Sequence, residues 1–311
     1  MQQLQQTRHA LGSTAYLTIV VDDHVHPGTV FDVLWQQIDT FEQRFSRFLA
    51  DSELSRCNRT AGTREPISIE FRDLLVTARM MAERSHGLYN PFILPALQRA
   101  GYKGSWPQPH IHDESLNYEN RVAVVDRHEL TIGDSWVQVP KHTALDFGGI
   151  GKGYLLDQLG ETLQTMDIAD YWLSLGGDIL CSGYDAAGEA WQIGIQRARR
   201  ETDTVATVIN YGQKLAIATS GTTKRQGTSE NGTWHHIIDP RTGGPAKTNV
   251  LTATVSANTA TSADVTAKCL VIAGKEAAET TLKTMCEHNA LLQVIYNDTV
   301  EVIQLGAGWS T

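Results

Sequence analysis

A glycine-rich run at residues 144–160, ALDFGGIGKGYLLDQLG, places four closely spaced glycines and one lysine between a strand-like and a helix-like segment. Glycine has no Cβ, so it lets a backbone turn sharply and approach a ligand closely. Lys152 and the first amides of the following helix would direct positive charge toward the space beside the turn. The run therefore predicts a phosphate-binding turn. The alternative is a glycine-rich turn that binds nothing.

The spacing of this run does not match two common nucleotide-binding motifs. A Walker A loop requires a glycine five positions before Gly151 and a Ser or Thr after Lys152, whereas the chain has Asp146 and Gly153 at those positions. The dinucleotide fingerprint GxGxxG fails as well, because Tyr154 occupies the position of its third glycine. The two most familiar nucleotide-binding folds therefore lose support.

Composition indicates an ordinary globular chain. Its 311 residues can bury a substantial core, as one large domain or two fused units. The net charge of −9 argues against a nucleic-acid partner bound through a broad basic face. The four cysteines contain no CxxC pair, so they predict neither a zinc site nor a disulfide framework. Residues 1–21 lack the pattern of a signal peptide or membrane anchor, and we expect a cytoplasmic protein without membrane insertion.

Hydrophobic periodicity predicts clusters of strands and clusters of helices without regular alternation, which favours an α+β fold over a doubly wound sheet. The predicted strands are residues 15–21, 122–125, 129–132, 137–139, 144–147, 171–175, 191–196, 205–210, 214–219, 292–296 and 300–305. The predicted helices are residues 30–48, 71–85, one beginning near Lys152, 262–272 and 275–288. Residues 102–117 are rich in Pro, His and Ser, and we expect them to form a surface insertion.

Five further segments are distinctive when they are compared together. They are SRFLADSELSRCN at 46–58, LSLGGDI at 173–179, ATSGTTKR at 218–225, HIIDPRTGGP at 236–245 and TATSAD at 259–264. In this order and spacing they resemble the ApbE family, the FAD:protein FMN transferases. The resemblance extends from about residue 10 to the final predicted hairpin.

The resemblance implies a single domain over residues 1–311, built from two related α/β lobes with FAD in the cleft between them. It also implies a Mg²⁺ ion beside the FAD pyrophosphate. The implied reaction transfers FMN to a threonine or serine hydroxyl of an acceptor flavoprotein and releases AMP. Phosphoryl transfer of this kind needs cations and amide donors around the pyrophosphate, which agrees with the predicted turn.

The resemblance assigns metal and proton-transfer roles to a few residues. Asp264 matches the family's metal-binding aspartate, and the backbone carbonyl of Gly151 matches a second metal ligand. His236 matches a histidine that could accept the proton of the acceptor hydroxyl, or bind a phosphate as imidazolium. Read without the resemblance, Asp264 would be an ordinary residue at a helix N-terminus and His236 an ordinary packing residue.

The resemblance also implies a set of cofactor-binding residues. Leu11 would contact the flavin and Phe48 would stack near the adenine, although core packing is an alternative for Phe48. The full set is Leu11, Phe48, Leu88, Tyr89, Asn90, Gly148, Gly149, Lys152, Gly176, Gly177, Asp178, Thr219, Ser220, Gly221, His236 and Ile238.

Two positions of the expected metal site depart from the family pattern. Gly151 replaces an alanine, which need not matter because the expected ligand is a backbone carbonyl. Lys268 replaces a threonine that reaches the metal, and an ammonium has no lone pair to donate to Mg²⁺. Lys268 could instead contact the FAD phosphates and partly replace the metal, or Thr266 could be recruited by a shifted register, or Lys268 could be a solvated lysine elsewhere on the helix.

These departures leave three functions open. The first is Mg²⁺-dependent FMN transfer to a protein hydroxyl. The second is an FAD pyrophosphatase that uses water in place of the hydroxyl and yields FMN and AMP. The third is a catalytically weak FAD-binding protein, suggested by Lys268 at a metal-ligand position.

Overall fold

The computed structural model describes residues 1–102, 130–229, 232–297 and 299–310. The predicted strand at residues 122–125 lies outside the described residues, as does the predicted insertion at 102–117 beyond Tyr102. The strands, in chain order, are β1 (Gln2–Ala10), β2 (Ser13–Val21), β3 (Arg64–Pro66), β4 (Thr131–Ile132), β5 (Trp136–Gln138), β6 (Asp170–Leu175), β7 (Asp178–Gly183), β8 (Gln192–Arg197), β9 (Arg200–Ile209), β10 (Gly212–Gly221), β11 (Gln226–Ser229), β12 (Gly232–His235), β13 (Ile238–Asp239), β14 (Gly244–Pro245), β15 (Val250–Ala257), β16 (Asn289–Tyr296) and β17 (Thr299–Leu305). The helices are α1 (Pro27–Phe45), α2 (Glu53–Arg59), α3 (Ile69–Arg84), α4 (Leu94–Ala100), α5 (Gly151–Thr165), α6 (Ala260–Ala273) and α7 (Ala278–Thr284).

Eight strands form one antiparallel sheet in the order β1-β2-β6-β7-β10-β15-β16-β17. Side chains alternate between its two faces, as the two-residue period of a strand requires. On β7, Leu180 joins the large core shared with the helices, whereas Ile179 and Cys181 face a smaller core against the β8–β9 hairpin. The sheet is therefore covered by helices on one face and by a hairpin on the other, and the predicted α+β class is confirmed.

The helices on the main core form where the apolar spacing predicts them. In α1 the buried residues recur at three- and four-residue intervals, from Val30 to Phe45. Ser68 caps the N-terminus of helix α3, because its hydroxyl accepts a hydrogen bond from the amide of Phe71 at 3.1 Å. Helix α6 differs from both because nearly all of its residues are buried. Charged side chains on α6 therefore need partners inside the protein.

The predicted strand at residues 144–147 is wrong, because this buried segment has no strand partner. Its backbone hydrogen bonds are made by other groups. The amide of Leu145 donates to Oδ1 of Asn58 at 2.7 Å, and Nδ2 of Asn58 donates to the Leu145 carbonyl at 2.9 Å. The amide of Asp146 donates to the Pro91 carbonyl at 2.7 Å. A side chain that is distant in sequence thus takes the place of a neighbouring strand, which the local pattern of residues 144–147 cannot reveal.

Candidate functional site

A cavity of about 420 Å³ opens beside the start of α5, on the helix-covered side of the sheet. Many of the residues expected to bind the cofactor or metal line this cavity. They are Leu11, Phe48, Leu88, Tyr89, Asn90, Gly148, Gly149, Gly151, Lys152, His236, Ile238 and Lys268. The others, Gly176, Gly177, Asp178, Thr219, Ser220, Gly221 and Asp264, are not in the cavity wall, and several of them hold wall residues in place.

Two lysines and two aspartates form a connected group at the base of the cavity, which we call the lysine–aspartate cluster: Lys152, Asp178, Asp264 and Lys268. Nζ of Lys268 donates to Oδ1 of Asp264 at 3.0 Å. Nζ of Lys152 contacts Oδ2 of Asp178 and lies 3.9 Å from Oδ2 of Asp264. Both carboxylates are almost fully buried, so the lysines supply the compensating charge that buried anions require.

Neighbouring strands complete the contacts of this cluster. The backbone amide of Thr219 donates to Oδ1 of Asp178 at 3.2 Å. The hydroxyl of Ser220 accepts from Nζ of Lys268 at 3.4 Å. Gly176 and Gly177 have φ of 63° and 95°, the left-handed region that favours glycine, in the turn that leads to Asp178. These residues therefore support the cavity wall from behind.

The approach of α5 to α6 positions Asp264. Asp157 of α5 accepts hydrogen bonds from the amides of Ala260 and Thr261, at 2.8 and 2.9 Å, and so caps the N-terminus of α6. The amide of Gly153 contacts Oδ2 of Asp264 at 3.4 Å. The amides of Gly151 and Gly153 in the first turn of α5 thus have acceptors within the protein, which differs from the expectation that the first amides point into a phosphate site.

The glycines of the run at residues 144–160 have different tolerances for a side chain. A Cβ on Gly153 would lie 2.4 Å from the carbonyl oxygen of Ala260, which is backbone and cannot move aside. A Cβ on Gly151 would lie 3.4 Å from the ring of Phe41, which is an ordinary contact. Gly153 therefore serves the packing of α5 against α6, and Gly151 does not.

We expect Gly153→Ala to lower the free energy of unfolding by about 1–3 kcal/mol, because α5 and α6 must separate to admit the methyl group. The matched variant Gly151→Ala is expected to change it by less than about 1 kcal/mol, and in the stabilising direction, since alanine favours helix over glycine. Urea unfolding followed by circular dichroism measures both. Equal effects of the two substitutions would contradict this account.

The electrostatics of the cluster follow from its burial. Burial alone would raise the pKa of Asp264, but the ammoniums of Lys152 and Lys268 and the amide of Gly153 hold it below its ordinary value. Burial lowers the pKa of Lys152, and the nearby cations Lys268 and Arg225 lower it further against the opposing effect of Asp264. The cavity base thus holds two ammoniums fixed by two buried carboxylates, with the Arg225 cation nearby.

His236 lies on the same cavity and follows the end of β12. Its Nδ1 lies 3.3 Å from the carbonyl oxygen of Arg225. A carbonyl can only accept, so Nδ1 carries the proton and Nε2 keeps its lone pair. Burial, with the cations of Arg225 and Lys268, lowers the pKa of His236 to about 3. The free protein therefore holds a neutral imidazole with a lone pair on Nε2, which argues against the imidazolium role at neutral pH.

The lowered pKa of His236 predicts a loss of stability in mild acid. Its folded-state pKa lies below the ordinary value of 6.5, so the unfolded chain binds the proton first as the pH falls. Stability is then lost as the pH decreases from 6.5 toward 3, by up to about 1.4 kcal/mol per pH unit. We expect urea unfolding at successive pH values to show a steeper acid loss for the native chain than for His236→Gln. Parallel curves would contradict the neutral, buried histidine.

Several cavity residues were not predicted from the sequence. Nη1 of Arg47 donates to Oδ2 of Asp146 at 2.9 Å, and the guanidinium lies 4.7 Å from the ring centres of both Phe48 and Tyr102. Arg225 also lines the cavity. The sequence indicated these two residues only by their position, since Arg47 lies within the SRFLADSELSRCN segment and Arg225 within the ATSGTTKR segment.

The hydroxyl of Tyr89 is a further unsatisfied group beside this cavity. It is buried and has no hydrogen-bond partner among the described residues. Its ring lies close to Gly149, where an added Cβ would be 3.2 Å from both Tyr89 and the stem of Lys268. A buried hydroxyl without a partner is costly, so the Tyr89 hydroxyl is an exception among the buried polar groups of the described residues.

The three readings of Lys268 can now be distinguished. Its side chain is 18% exposed, pairs with Asp264 and lines the cavity, so it is not a solvated lysine elsewhere on the helix. Thr266 is fully buried and its hydroxyl has no partner among the residues that the structure describes. Two positions after Asp264, Thr266 faces away from the cavity by helix geometry. The reading that remains is a lysine directed at whatever the cavity binds.

The donor set does not fit the Mg²⁺ ion that the resemblance implied. The three expected ligand positions are Gly151, Asp264 and Lys268, and the third of them presents a cation to the metal. Every carboxylate oxygen of Asp178 and Asp264 already contacts a donor. In the described part of the chain, no three His, Cys, Asp or Glu side chains come together as a metal-binding group.

Repulsion between Lys268 and a Mg²⁺ ion would also disfavour metal binding at Asp264. A Mg²⁺ ion about 2.1 Å from Oδ1 of Asp264 could lie no more than about 5 Å from Nζ of Lys268, which is 3.0 Å from that oxygen. At an effective dielectric constant of about 20, the repulsion between these charges is roughly 6 kcal/mol or more. With Lys268 in this position, the site already holds its cation.

Comparison with known proteins identifies close relatives of this chain. The model of the ApbE family matches residues 11–292. The FAD:protein FMN transferase of Vibrio cholerae is 29% identical over 253 residues, which cover 80% of this chain and 73% of that protein. The Treponema pallidum protein of the same name is 29% identical over 268 residues, covering 79% and 71%.

Solved structures share the fold. The flavin transferase ApbE from Vibrio cholerae superposes with a TM-score of 0.81 at 24% identity, covering 98% of this chain and 97% of that one. The ApbE protein from Thermotoga maritima gives a TM-score of 0.82 at 22% identity, with the same coverage. The α+β architecture of this chain is therefore the architecture of those proteins.

Proposed function

The chain belongs to the ApbE family and is a transferase, and from this we propose that it transfers FMN from FAD to a threonine or serine hydroxyl of an acceptor protein and releases AMP. The observation that carries the proposal is one cavity that combines Lys152, Lys268 and Arg225 with the neutral His236. Cations there would offset the charge of a pyrophosphate, and a neutral imidazole would accept a hydroxyl proton.

The proposed step balances as a single displacement at phosphorus. The hydroxyl oxygen of the acceptor attacks the phosphorus of the FMN half of FAD and forms a new P–O bond. The anhydride P–O bond breaks, and its electron pair leaves with the phosphate of AMP. The hydroxyl proton passes to Nε2 of His236, which has the free lone pair because Nδ1 donates to the Arg225 carbonyl.

The remaining cavity residues are proposed to bind and orient FAD. The Lys152 and Lys268 ammoniums contact the pyrophosphate, and Phe48, which is 46% exposed, offers a ring for stacking. Leu11, Leu88, Asn90 and Ile238 supply mostly apolar contacts. Gly176, Gly177, Thr219 and Gly221 act indirectly, through the turn and strands behind Asp178 and Lys268.

The expectations about Mg²⁺, membrane insertion, cellular location and nucleic-acid binding are not part of the proposed reaction. Mg²⁺ is not part of the proposed step, because the donor set does not fit it. Among the described helices, none combines the length and the apolar character needed to cross a bilayer. The cytoplasmic location and the absence of a nucleic-acid partner stay predictions.

Incubation with FAD and candidate acceptor proteins tests the proposal. An FMN-sized mass increase on the acceptor, lost when its threonine or serine is replaced by alanine, would support transfer. Release of FMN and AMP without any acceptor adduct would support an FAD pyrophosphatase. FAD that remains bound and intact through long incubation would support a binding protein with little turnover. Chromatography of the nucleotides and intact-protein mass spectrometry distinguish the three.

A further inference from the structure

The position of Lys268 suggests a fixed cation in the place of a metal. We propose that the ammonium of Lys268, together with Lys152, offsets the charge of the FAD pyrophosphate, so that FAD binding and FMN transfer require no divalent metal ion. This inference rests on the proposed function and concerns the same cavity.

The fold holds Lys268 in position. It lies four residues after Asp264 on α6, so the two side chains are on the same face of that helix. Its Nζ is 3.0 Å from Oδ1 of Asp264 and 3.4 Å from Oγ of Ser220. Its stem crosses Gly149, where an added Cβ would lie 3.2 Å from Cε of Lys268. The chain therefore has both an anchor for the ammonium and space for its stem.

The ammonium of Lys268 keeps hydrogen-bonding capacity for a ligand. An ammonium has three N–H donors. Lys268 directs two of them at Asp264 and Ser220, so one remains for a ligand in the cavity that it lines. The carboxylate oxygens, in contrast, already contact donors. The site thus offers a free ammonium N–H to an anion, whereas a cation would have to share carboxylate oxygens that already accept hydrogen bonds.

The same lysine can serve the reaction itself. As the anhydride bond breaks, negative charge grows on the phosphate oxygen that leaves with AMP. An ammonium N–H can donate to that oxygen and stabilise the charge, a role otherwise served by a metal ion. No other reactant is needed, because the acceptor hydroxyl supplies the attacking oxygen and His236 receives its proton.

The test compares FAD binding and AMP release by chelator-treated protein in excess EDTA and in excess MgCl₂. FAD affinity, measured by fluorescence quenching, gives a readout that does not depend on turnover. For the native chain, we expect the affinity and the rate to be the same in both solutions. For Lys268→Thr in EDTA, we expect FAD binding to weaken by about 10–100-fold, the effect of losing one charge-assisted hydrogen bond.

Magnesium should restore part of the binding of Lys268→Thr, because the substitution frees Oδ1 of Asp264 and adds a hydroxyl lone pair. Lys283→Thr is the matched control, since Lys283 pairs with the exposed Glu279 outside the cavity, and it should behave as the native chain. Lys268→Met, which is similar in length and uncharged, replaces the threonine variant if that variant does not fold, and should also bind FAD weakly in EDTA.

Each outcome has a distinct meaning. Native FAD binding that disappears in EDTA and returns with MgCl₂ would overturn the inference and leave the proposed transfer intact. Lys268→Thr that binds FAD as well as the native chain in EDTA would also overturn it. A native chain that binds no FAD in either solution would reject the proposed function, and the inference with it. Metal-independent FAD binding by the native chain, weakened in Lys268→Thr, would support the inference.

Discussion

Replacing Asp264 with alanine is expected to lower the free energy of unfolding by about 3–5 kcal/mol, the typical effect of removing one member of a buried ion pair. Asp264 is 2% exposed and lies between the ammoniums of Lys152 and Lys268. Without the carboxylate, Lys268 loses its ion-pair partner, and Lys152 keeps only Asp178. Urea unfolding at neutral pH, followed by tryptophan fluorescence, gives the magnitude.

A double-mutant cycle distinguishes lost charge pairing from lost packing. Asp264→Ala combined with Lys268→Met should be less destabilised than the sum of the two single variants, because the second substitution removes a cation that the first left unpaired. Helix α7 offers a matched control with the same spacing, the exposed pair Glu279 and Lys283. Its coupling should be far smaller, since solvent screens exposed charges. Equal coupling in the two pairs would refute the buried-cluster account.

Replacing His236 with glutamine is expected to slow FMN transfer by about 10²–10⁴-fold, the usual contribution of a general base. FAD affinity should change little, because neutral His236 contributes no charge to the pyrophosphate. The neighbouring His235 is the natural control: its Nε2 lies 3.1 Å from the Ala246 carbonyl and it does not line the cavity. His235→Gln should retain most of the transfer rate.

The pH dependence of kcat/KM provides a second readout for His236. Burial and the cations of Arg225 and Lys268 lower its pKa to about 3, so the imidazole of the free enzyme is already neutral across the ordinary assay range. We therefore expect that titration of His236 causes no decline in kcat/KM around pH 6.5. The native chain and His236→Gln should then have the same pH dependence in this range. Such a decline would mean that His236 titrates normally and is not buried as the structure has it.

Much of the fold follows from local patterns in the sequence. The apolar spacing predicts helices close to α1, α3 and α6, and alternation predicts strands close to β2, β6 and β10. These predictions succeed because burial of one face is a local property of a helix or strand. The helix predicted at residues 275–288 is a 3₁₀ turn, Lys275–Ala277, followed by the shorter α7.

The candidate site could be predicted less completely. The glycine-rich run and the five segments identify most of the cavity wall. Tyr102 also lines the cavity and lies outside these segments, and the contacts of Arg47 with Tyr102 and Asp146 join parts of the chain that are distant in sequence. Asp157 caps α6 from α5, a contact between residues more than a hundred positions apart. No spacing rule within one segment reports such contacts.

The glycine-rich run illustrates the division between sequence and tertiary structure. By itself the sequence determined the turn, the helix that follows it, and the shared face of Asp264 and Lys268, because these depend on backbone sterics and on the helical period. Only the tertiary structure decided that Gly153 serves helix packing, that Lys152 pairs with Asp178, and that Lys268 occupies the place of a cation. The physical reason is that charge partners and close backbone approaches are set by which elements meet in the core, and that depends on the packing of the whole chain.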